Sequence, residues 1–189
     1  MKELHPVIEK IKNKFKNSPY VRERGPHVRK EERSDFDLEK GLNCQLFAHE
    51  VLEAITGFQL PAVVLSKEIY EMTGGLFKDV NPNLEDLQSG DIVLFGSDAT
   101  DYDLDVRSLH IGVIIDEKLD PTVLHFHGNG SDKGLRQNPL STFASENDRE
   151  DFRYLWGVRR INYDGLLSFN ENEFPTIEQT TEYYQEDAT

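Results

Sequence analysis

The sequence predicts a single α+β domain, in which a helix that begins at a cysteine packs against a small, mostly antiparallel sheet. Two observations predict it. Apolar residues recur at helical spacing after Asn43, and from Gly90 the pattern changes to short runs typical of strands, DIVLFG, LHIGVIID and TVLHFH. The length of 189 residues fits one domain of this kind.

The first half of the chain is predicted to be helical, with one long loop. Ile8, Ile11 and Phe15 recur at helical spacing among lysines, which predicts an amphipathic helix within residues 1–17 that docks on the domain. Residues 21–40 are dense in both charges and contain Gly and Pro, so we expect an irregular loop. The segment GLNCQLFAHEVLEAITG predicts a helix that Asn43 caps.

The second half is predicted to be mainly strands. A polar helical segment at Ser66–Met72 is followed by a loop to Leu87, and LWGVRRI at 155–161 is expected to be a further strand. The loop Ser97–Ser108 carries four aspartates, and it either rims a cleft or forms a solvated acidic hairpin. We therefore expect a domain over 18–165, followed by an acidic, flexible tail over 166–189.

The charge balance argues against two classes of partner. The chain has 35 acidic and 21 basic residues, a formal net charge of −14, so long-range repulsion opposes binding to nucleic acid and to anionic membranes. No window approaches a membrane span, and the N-terminus lacks the apolar core of a signal peptide. We expect a cytoplasmic protein, with export by another route as the alternative.

One cysteine and several histidines are the candidates for chemistry. A single cysteine excludes an internal disulfide and a cysteine-rich metal site, so Cys44 is either a buried filler or a nucleophile. A nucleophilic thiolate is favoured by a helix N-terminus and by a nearby imidazolium. Cys44 is expected in the first turn of its helix, whereas His49 lies well around that helix and is expected at the surface.

The predicted strands place three histidines in phase with each other. His110 alternates with Gly112 along LHIGVIID, and both His125 and His127 share one face of TVLHFH. If the two strands pair, a histidine from each lies side by side. One would act as base for Cys44 and the other would orient it, which is the logic of a catalytic triad. The alternative is that these histidines are ordinary core or edge residues.

Six blocks of the sequence carry a resemblance to a known family. In chain order, they are SPY at 18–20, LNCQLFAHEVLEAITGFQLP at 42–61, LQSGDIVLFG at 87–96, LHIGVIID at 109–116, VLHFHGNGSDKGL at 123–135 and LWGVRRI at 155–161. Together they resemble the successive blocks of the NlpC-type cysteine peptidases, which cleave cell-wall (peptidoglycan) peptides. The resemblance implies a papain-like fold and a thiol protease or amidase that needs no metal or organic cofactor.

The resemblance also implies roles for individual residues. Cys44 matches the family's nucleophile and His110 its general base, while Tyr20 lies by the active site, where its hydroxyl helps to hold the oxyanion. The third polar residue is His127 or His125. The distance to the Lys133-Gly134 turn favours His127, which we place first, and the preceding hydrophobic pair favours His125. Asp91 matches a Gly-Asp turn and is expected to be structural.

The sequence also departs from the family pattern. The family's Asp-Cys-Ser-Gly is Asn43-Cys44-Gln45-Leu46 here, and Val21-Arg22-Glu23 replaces the Trp-Gly-Gly that follows the Pro-Tyr pair. We therefore expect hydrolysis of a peptide or isopeptide amide, with a cell-wall peptide as one candidate substrate. The alternatives are a catalytically silent interaction module of the same fold, and an amidase or acyltransferase on that fold.

Overall fold

A computed structural model of the chain describes residues 4–28, 37–82, 86–96, 109–128, 133–144 and 154–166, together with Thr176 and Gln179. The predicted acidic loop Ser97–Ser108, residues 29–36 of the predicted charged loop and nearly all of the predicted tail lie outside these residues.

The described residues form an α+β structure of five helices and six strands. The helices are α1 (Leu4–Phe15), α2 (Cys44–Thr56), α3 (Ser66–Glu71), α4 (Ser141–Ala144) and α5 (Tyr163–Leu166). Short 3₁₀ turns occur at Leu38–Lys40 and Thr73–Gly75. The strands are β1 (Phe77–Val80), β2 (Ile92–Gly96), β3 (His110–Ile114), β4 (Thr122–His127), β5 (Gly134–Pro139) and β6 (Tyr154–Ile161).

The strands form one antiparallel sheet in the order β1-β6-β2-β3-β4-β5. The predicted strands became β2, β3, β4 and β6, in the centre of the sheet. Sequence analysis missed β1 and β5, which are the edge strands. Both are partly exposed and carry no run of apolar residues, since β1 is FKDV and β5 is GLRQNP. An edge strand forms because it pairs with a single neighbouring strand, and the residue pattern within the segment does not reveal that pairing.

The two faces of the sheet pack against different parts of the chain. One face carries Ile111, Val113 and Phe126, which belong to the large core cluster formed with α1 and α2. The other face carries Val93 and Val123, in a smaller cluster that includes Phe143 of α4. Side chains alternate between the faces along each strand, so His110 and His125 lie on the second face, away from α2.

The predicted N-terminal helix docks on the domain as expected. Ile8, Ile11 and Phe15 of α1 are all buried, and the Phe15 ring meets Phe47 of α2 edge to face, with centroids 5.3 Å apart. Lys14 Nζ lies 2.9 Å from a carboxylate oxygen of Glu50. The helix therefore covers the outer side of α2 and helps to keep that helix out of solvent.

The ends of α2 are those that the sequence predicted. Asn43 Oδ1 accepts a hydrogen bond from the Leu46 amide at 2.9 Å, which satisfies one of the unpaired amides of the first turn. Gly57 ends the helix in the left-handed conformation, with φ of 75°. The Asn43 cap makes Cys44 the first residue of α2, and Gly57 sets the other end of the helix.

Asp91 links the turn before β2 to the neighbouring strand β6. Its side chain is 1% exposed, and its two oxygens accept hydrogen bonds from Arg160 at 2.6 and 2.7 Å and from the Gln88 amide at 2.8 Å. A bidentate pair of this kind is stronger than a neutral hydrogen bond. Asp91 therefore has the structural role that the sequence led us to expect.

Replacing Asp91 by alanine is expected to lower the free energy of unfolding by about 3 kcal/mol, because it leaves the partly buried Arg160 without its carboxylate. Chemical denaturation measures this change. The control is E9A, which removes an exposed ion pair with Lys12 and is expected to leave unfolding unchanged. Equal effects of D91A and E9A would contradict a structural role for Asp91.

Candidate active site around Cys44 and His110

Cys44 is the first residue of α2, where the helix meets the sheet. The backbone amides of Cys44, Gln45 and Ile111 and the Tyr20 hydroxyl lie around its sulfur, and as hydrogen-bond donors they act to lower the pKa of the thiol. Amides at a helix N-terminus carry partial positive charge and suit an anion. The thiol is therefore surrounded by donors, and one of these comes from the strand that carries His110.

The Ile111 amide reaches Cys44 because strands β3 and β4 stop pairing at this point. Their register runs from Ile114↔Val123 to Gly112↔His125 and ends there, although both strands continue. Ile115 donates to Thr122 of β4, so by alternation the Ile111 amide also faces β4. It donates to the Cys44 sulfur at the position where continued pairing would have placed Phe126. The sulfur thus lies at an opening between the two strands.

His110, His125 and Asn138 form a chain of hydrogen bonds across three neighbouring strands. His110 Nε2 lies 2.9 Å from His125 Nδ1, and His125 Nε2 lies 3.0 Å from Asn138 Oδ1. Both imidazoles are buried, at 2% and 3% exposure. This arrangement fixes the orientation of both rings and engages Nε2 of His110, so Nδ1 is the nitrogen of His110 that would act on a thiol.

Of the two candidates for the third residue, the structure brings His125 and not His127, which was placed first, into hydrogen-bond contact with His110. His125 makes the hydrogen bond to His110, whereas the His127 ring centroid lies 6.3 Å from that of His110. Gly112 is paired with His125 across the two strands, and a Cβ at Gly112 would come within 2.5 Å of Val123 Cγ1 and 3.3 Å of His125 Cβ. The close packing of β4 against β3 at this point therefore requires glycine.

Tyr20 lies beside Cys44, as the resemblance implied. Its hydroxyl hydrogen-bonds with the Cys44 sulfur, and its ring stacks on Phe126 with centroids 6.3 Å apart. The backbone of Tyr20 forms an isolated bridge with Leu42, just before α2. Gly128 gives the ring its space, because a Cβ at that position would come within 2.6 Å of Tyr20 Cζ.

Burial controls the charges of the site at rest. The exclusion of water from the thiol, which is 8% exposed, raises the pKa of Cys44 to about 11, although the surrounding donors act in the opposite direction. Burial, with smaller contributions from His125 and His127, lowers the pKa of His110 well below its ordinary value. Burial also raises the pKa of Tyr20. Each effect favours the neutral form, so the resting pair is a thiol and a neutral imidazole.

Two side chains of α2 differ from what the sequence suggested. His49 was expected at the surface but is 0% exposed, and its Nε2 lies 2.8 Å from the Val64 carbonyl oxygen. It does point away from Cys44, but that side of α2 is also covered by protein. Gln45, at a position where the family has serine, is buried and donates to Ser66 Oγ at 3.1 Å.

Sequence analysis missed two groups at the site. Asn138 lies on the unpredicted edge strand β5, in a polar segment that resembles a loop. The Ile111 amide carries no signal in the sequence, because any residue supplies a backbone N–H. Only the pairing of distant strands brings these groups to the histidine and to the thiol. In the described part of the chain, no group of three or more His, Cys, Asp or Glu side chains is placed to hold a metal ion.

Acidification is expected to destabilise the protein through His110. A histidine whose pKa is lower in the folded protein than in the unfolded chain binds fewer protons when the protein is folded. Its contribution to stability is therefore present above about pH 6.5 and is lost as the pH falls below that value. The loss approaches about 1.4 kcal/mol for each pH unit below the unfolded pKa. Urea denaturation at pH 7.5 and 5.5 measures it. H110Q should lack this component, and equal pH dependence in both proteins would contradict the lowered pKa.

Replacing Gly128 by alanine is expected to cost about 1–3 kcal/mol of unfolding free energy, because the new Cβ overlaps the Tyr20 ring. The φ of Gly128 is outside the left-handed region, so the cost is steric. A double-mutant cycle with Y20A tests this contact. G128A should cost little once the ring is removed, and an undiminished cost in the Y20A background would refute the contact.

No protein-family model matches the chain, and the search of curated proteins found no match. No helix among the described residues is both long and apolar enough to cross a membrane.

Proposed function

We propose that this protein is a cysteine hydrolase that cleaves an amide bond, with Cys44 as nucleophile, His110 as general base and His125 as the residue that orients the base. The observation that carries the proposal is the opening between β3 and β4. There the Ile111 amide binds the Cys44 sulfur, and the neighbouring residue in β3, His110, is held by the buried hydrogen bond to His125. In this proposal the nucleophile comes from α2, the base from β3 and the orienter from β4, and the Ile111 amide links the first two of these elements.

The proposed reaction begins from the neutral pair. Nδ1 of His110 takes the proton from the Cys44 thiol as the sulfur attacks the substrate carbonyl carbon. The tetrahedral intermediate collapses, the C–N bond breaks, and the amine leaves with the proton from His110, which gives a thioester on Cys44. Water then attacks the thioester, with His110 accepting its proton and returning it to the sulfur. The products are an amine and a carboxylic acid.

The donors around the sulfur supply the electrostatic part of the mechanism. The backbone amide of Cys44 and the Tyr20 hydroxyl are proposed to bind the oxyanion of the tetrahedral intermediate. The amides of Gln45 and Ile111 then stabilise the charge on sulfur as the thiol loses its proton. Because water is excluded, each of these interactions is stronger than it would be at an exposed site.

The substrate is proposed to be a peptide, with a cell-wall peptide as the first candidate. The support is the order of sequence blocks that resemble the NlpC-type peptidases and the α+β structure with the cysteine at a helix start. The residues that differ, Gln45 and the segment that follows Tyr20, are next to the nucleophile. We therefore expect a substrate preference that differs from that of the typical family members.

A catalytically silent interaction module is the second candidate. The burial of Cys44 favours it, because a thiol whose pKa is raised to about 11 has little thiolate at neutral pH unless a base removes its proton. The two candidates therefore differ in one property, which is whether His110 activates the thiol.

Alkylation of Cys44 by iodoacetamide tests the proposal. With His110 as base, we expect alkylation near pH 7.5 that becomes at least about tenfold slower in H110A. Because the pKa of His110 is lowered, the reaction should stay fast to below pH 6.5 before protonation of the base slows it. The rate is followed by intact-protein mass spectrometry, since Cys44 is the only cysteine in the sequence.

The control for this experiment is H5A, which removes an exposed histidine of α1. It should leave the alkylation rate unchanged, and circular dichroism checks that both variants fold. Equal rates in wild type and H110A, with both rising only as the pH approaches 11, would identify the silent module instead. A screen of cell-wall peptides and other amides then compares wild type with C44A, which should lack all hydrolysis.

A further inference from the structure

The hydrogen bond between His125 and Asn138 has a consequence for the protons of the site. Asn138 lies on β5, and its Oδ1 is 3.0 Å from His125 Nε2. We propose that Asn138 is a positioning residue that sets the tautomer of both histidines and leaves Nδ1 of His110 unprotonated and ready to act as base. This inference deepens the proposed function and rests on it for its catalytic meaning.

The protons follow from the hydrogen-bonding capacity of each group. An amide oxygen only accepts, so the Nε2 of His125 must carry the proton that it shares with Asn138. A neutral histidine has one N–H, so Nδ1 of His125 is then an acceptor. His110 Nε2, which lies 2.9 Å from this acceptor, is therefore the donor of the pair and carries the proton. Nδ1 of His110 is left with its lone pair.

The burial of both rings is what lets one proton position determine the others along the hydrogen-bond chain from Asn138 to His110. His110 and His125 are 2% and 3% exposed, and removing a charged imidazole from water is costly, so burial opposes a charge on this pair of rings. With neutral rings, a proton fixed at one end of the chain fixes every proton along it. Asn138 lies at that end, on an edge strand where its own side chain is partly exposed.

Asparagine suits this position better than an acid would. Aspartate would also accept from His125 but would bring a negative charge next to two buried imidazoles and so favour their protonation. Leucine has a similar shape but no acceptor. The two substitutions therefore separate the hydrogen bond from the packing. N138D keeps the acceptor and N138L removes it.

Nitrogen-15 NMR of the histidine rings reads the tautomers directly in the folded protein. Protonated and unprotonated ring nitrogens give well-separated signals, and H110Q and H125Q assign the two residues. In wild type at pH 7.5, we expect both rings to carry the proton on Nε2. A wild-type His110 with its proton on Nδ1 would overturn the inference, whether or not any variant folds.

The variants test whether Asn138 is the cause. N138L should yield a mixture of tautomers at His110 and roughly tenfold slower alkylation of Cys44 by iodoacetamide. N138D should keep the Nε2 tautomer and shift the acid limb of the alkylation rate to higher pH, because its carboxylate favours protonation of the chain. Q137L, on the other face of the same strand, is the matched control and should change neither measurement.

The two readouts separate this inference from the proposed function. Unchanged tautomers in N138L would refute the role of Asn138, even if H110A slows alkylation as the proposed function requires. Conversely, the expected tautomers with alkylation that does not depend on His110 would keep the hydrogen-bond chain and refute the catalytic function. A lost Nε2 tautomer in N138D would also refute the inference, since the acceptor is still present there.

Discussion

The site depends on the point at which β3 and β4 separate. Up to Gly112 and His125 the strands pair, and beyond them the next inward-facing amide, that of Ile111, binds the Cys44 sulfur. The Ile111 amide, which continued pairing would have directed to β4, thus links the helix that carries the thiol to the strand that carries His110.

Burial is the second constraint, and it acts on charge. The large core cluster covers α2 on almost every side, and the exclusion of water raises the pKa of Cys44 and lowers that of His110. A neutral resting pair suits a mechanism in which the proton moves only as the sulfur attacks. It also lowers the reactivity of the thiol, because a pKa raised to about 11 leaves little thiolate at neutral pH. The same burial opposes a charge on the two histidine rings, which lets one proton position determine the others.

Local pattern was sufficient where a segment carries its own signal. The ends of α2 are marked by Asn43 and Gly57, and α1 docks through Ile8, Ile11 and Phe15. The apolar runs form β2, β3, β4 and β6. These signals can be detected in the sequence because caps and periodicity act over a few residues. Local pattern failed for β1 and β5, which are partly exposed edge strands, and for His49. His49 was expected at the surface, but the first half of α2, from Cys44 to His49, is buried throughout.

The sequence by itself determined that Cys44 begins a helix and that the side chains of His110, His125 and His127 share one face of two strands. It also determined the order of Tyr20 before these residues, which resembles the order in the NlpC-type peptidases. Only the tertiary structure decided that His125 contacts His110, that Asn138 ends the chain of hydrogen bonds, and that the thiol is buried. The physical reason is that these contacts depend on strand register and on where pairing stops. Register is set by the packing of whole faces of the sheet, so it cannot be derived from the spacing of residues along one strand.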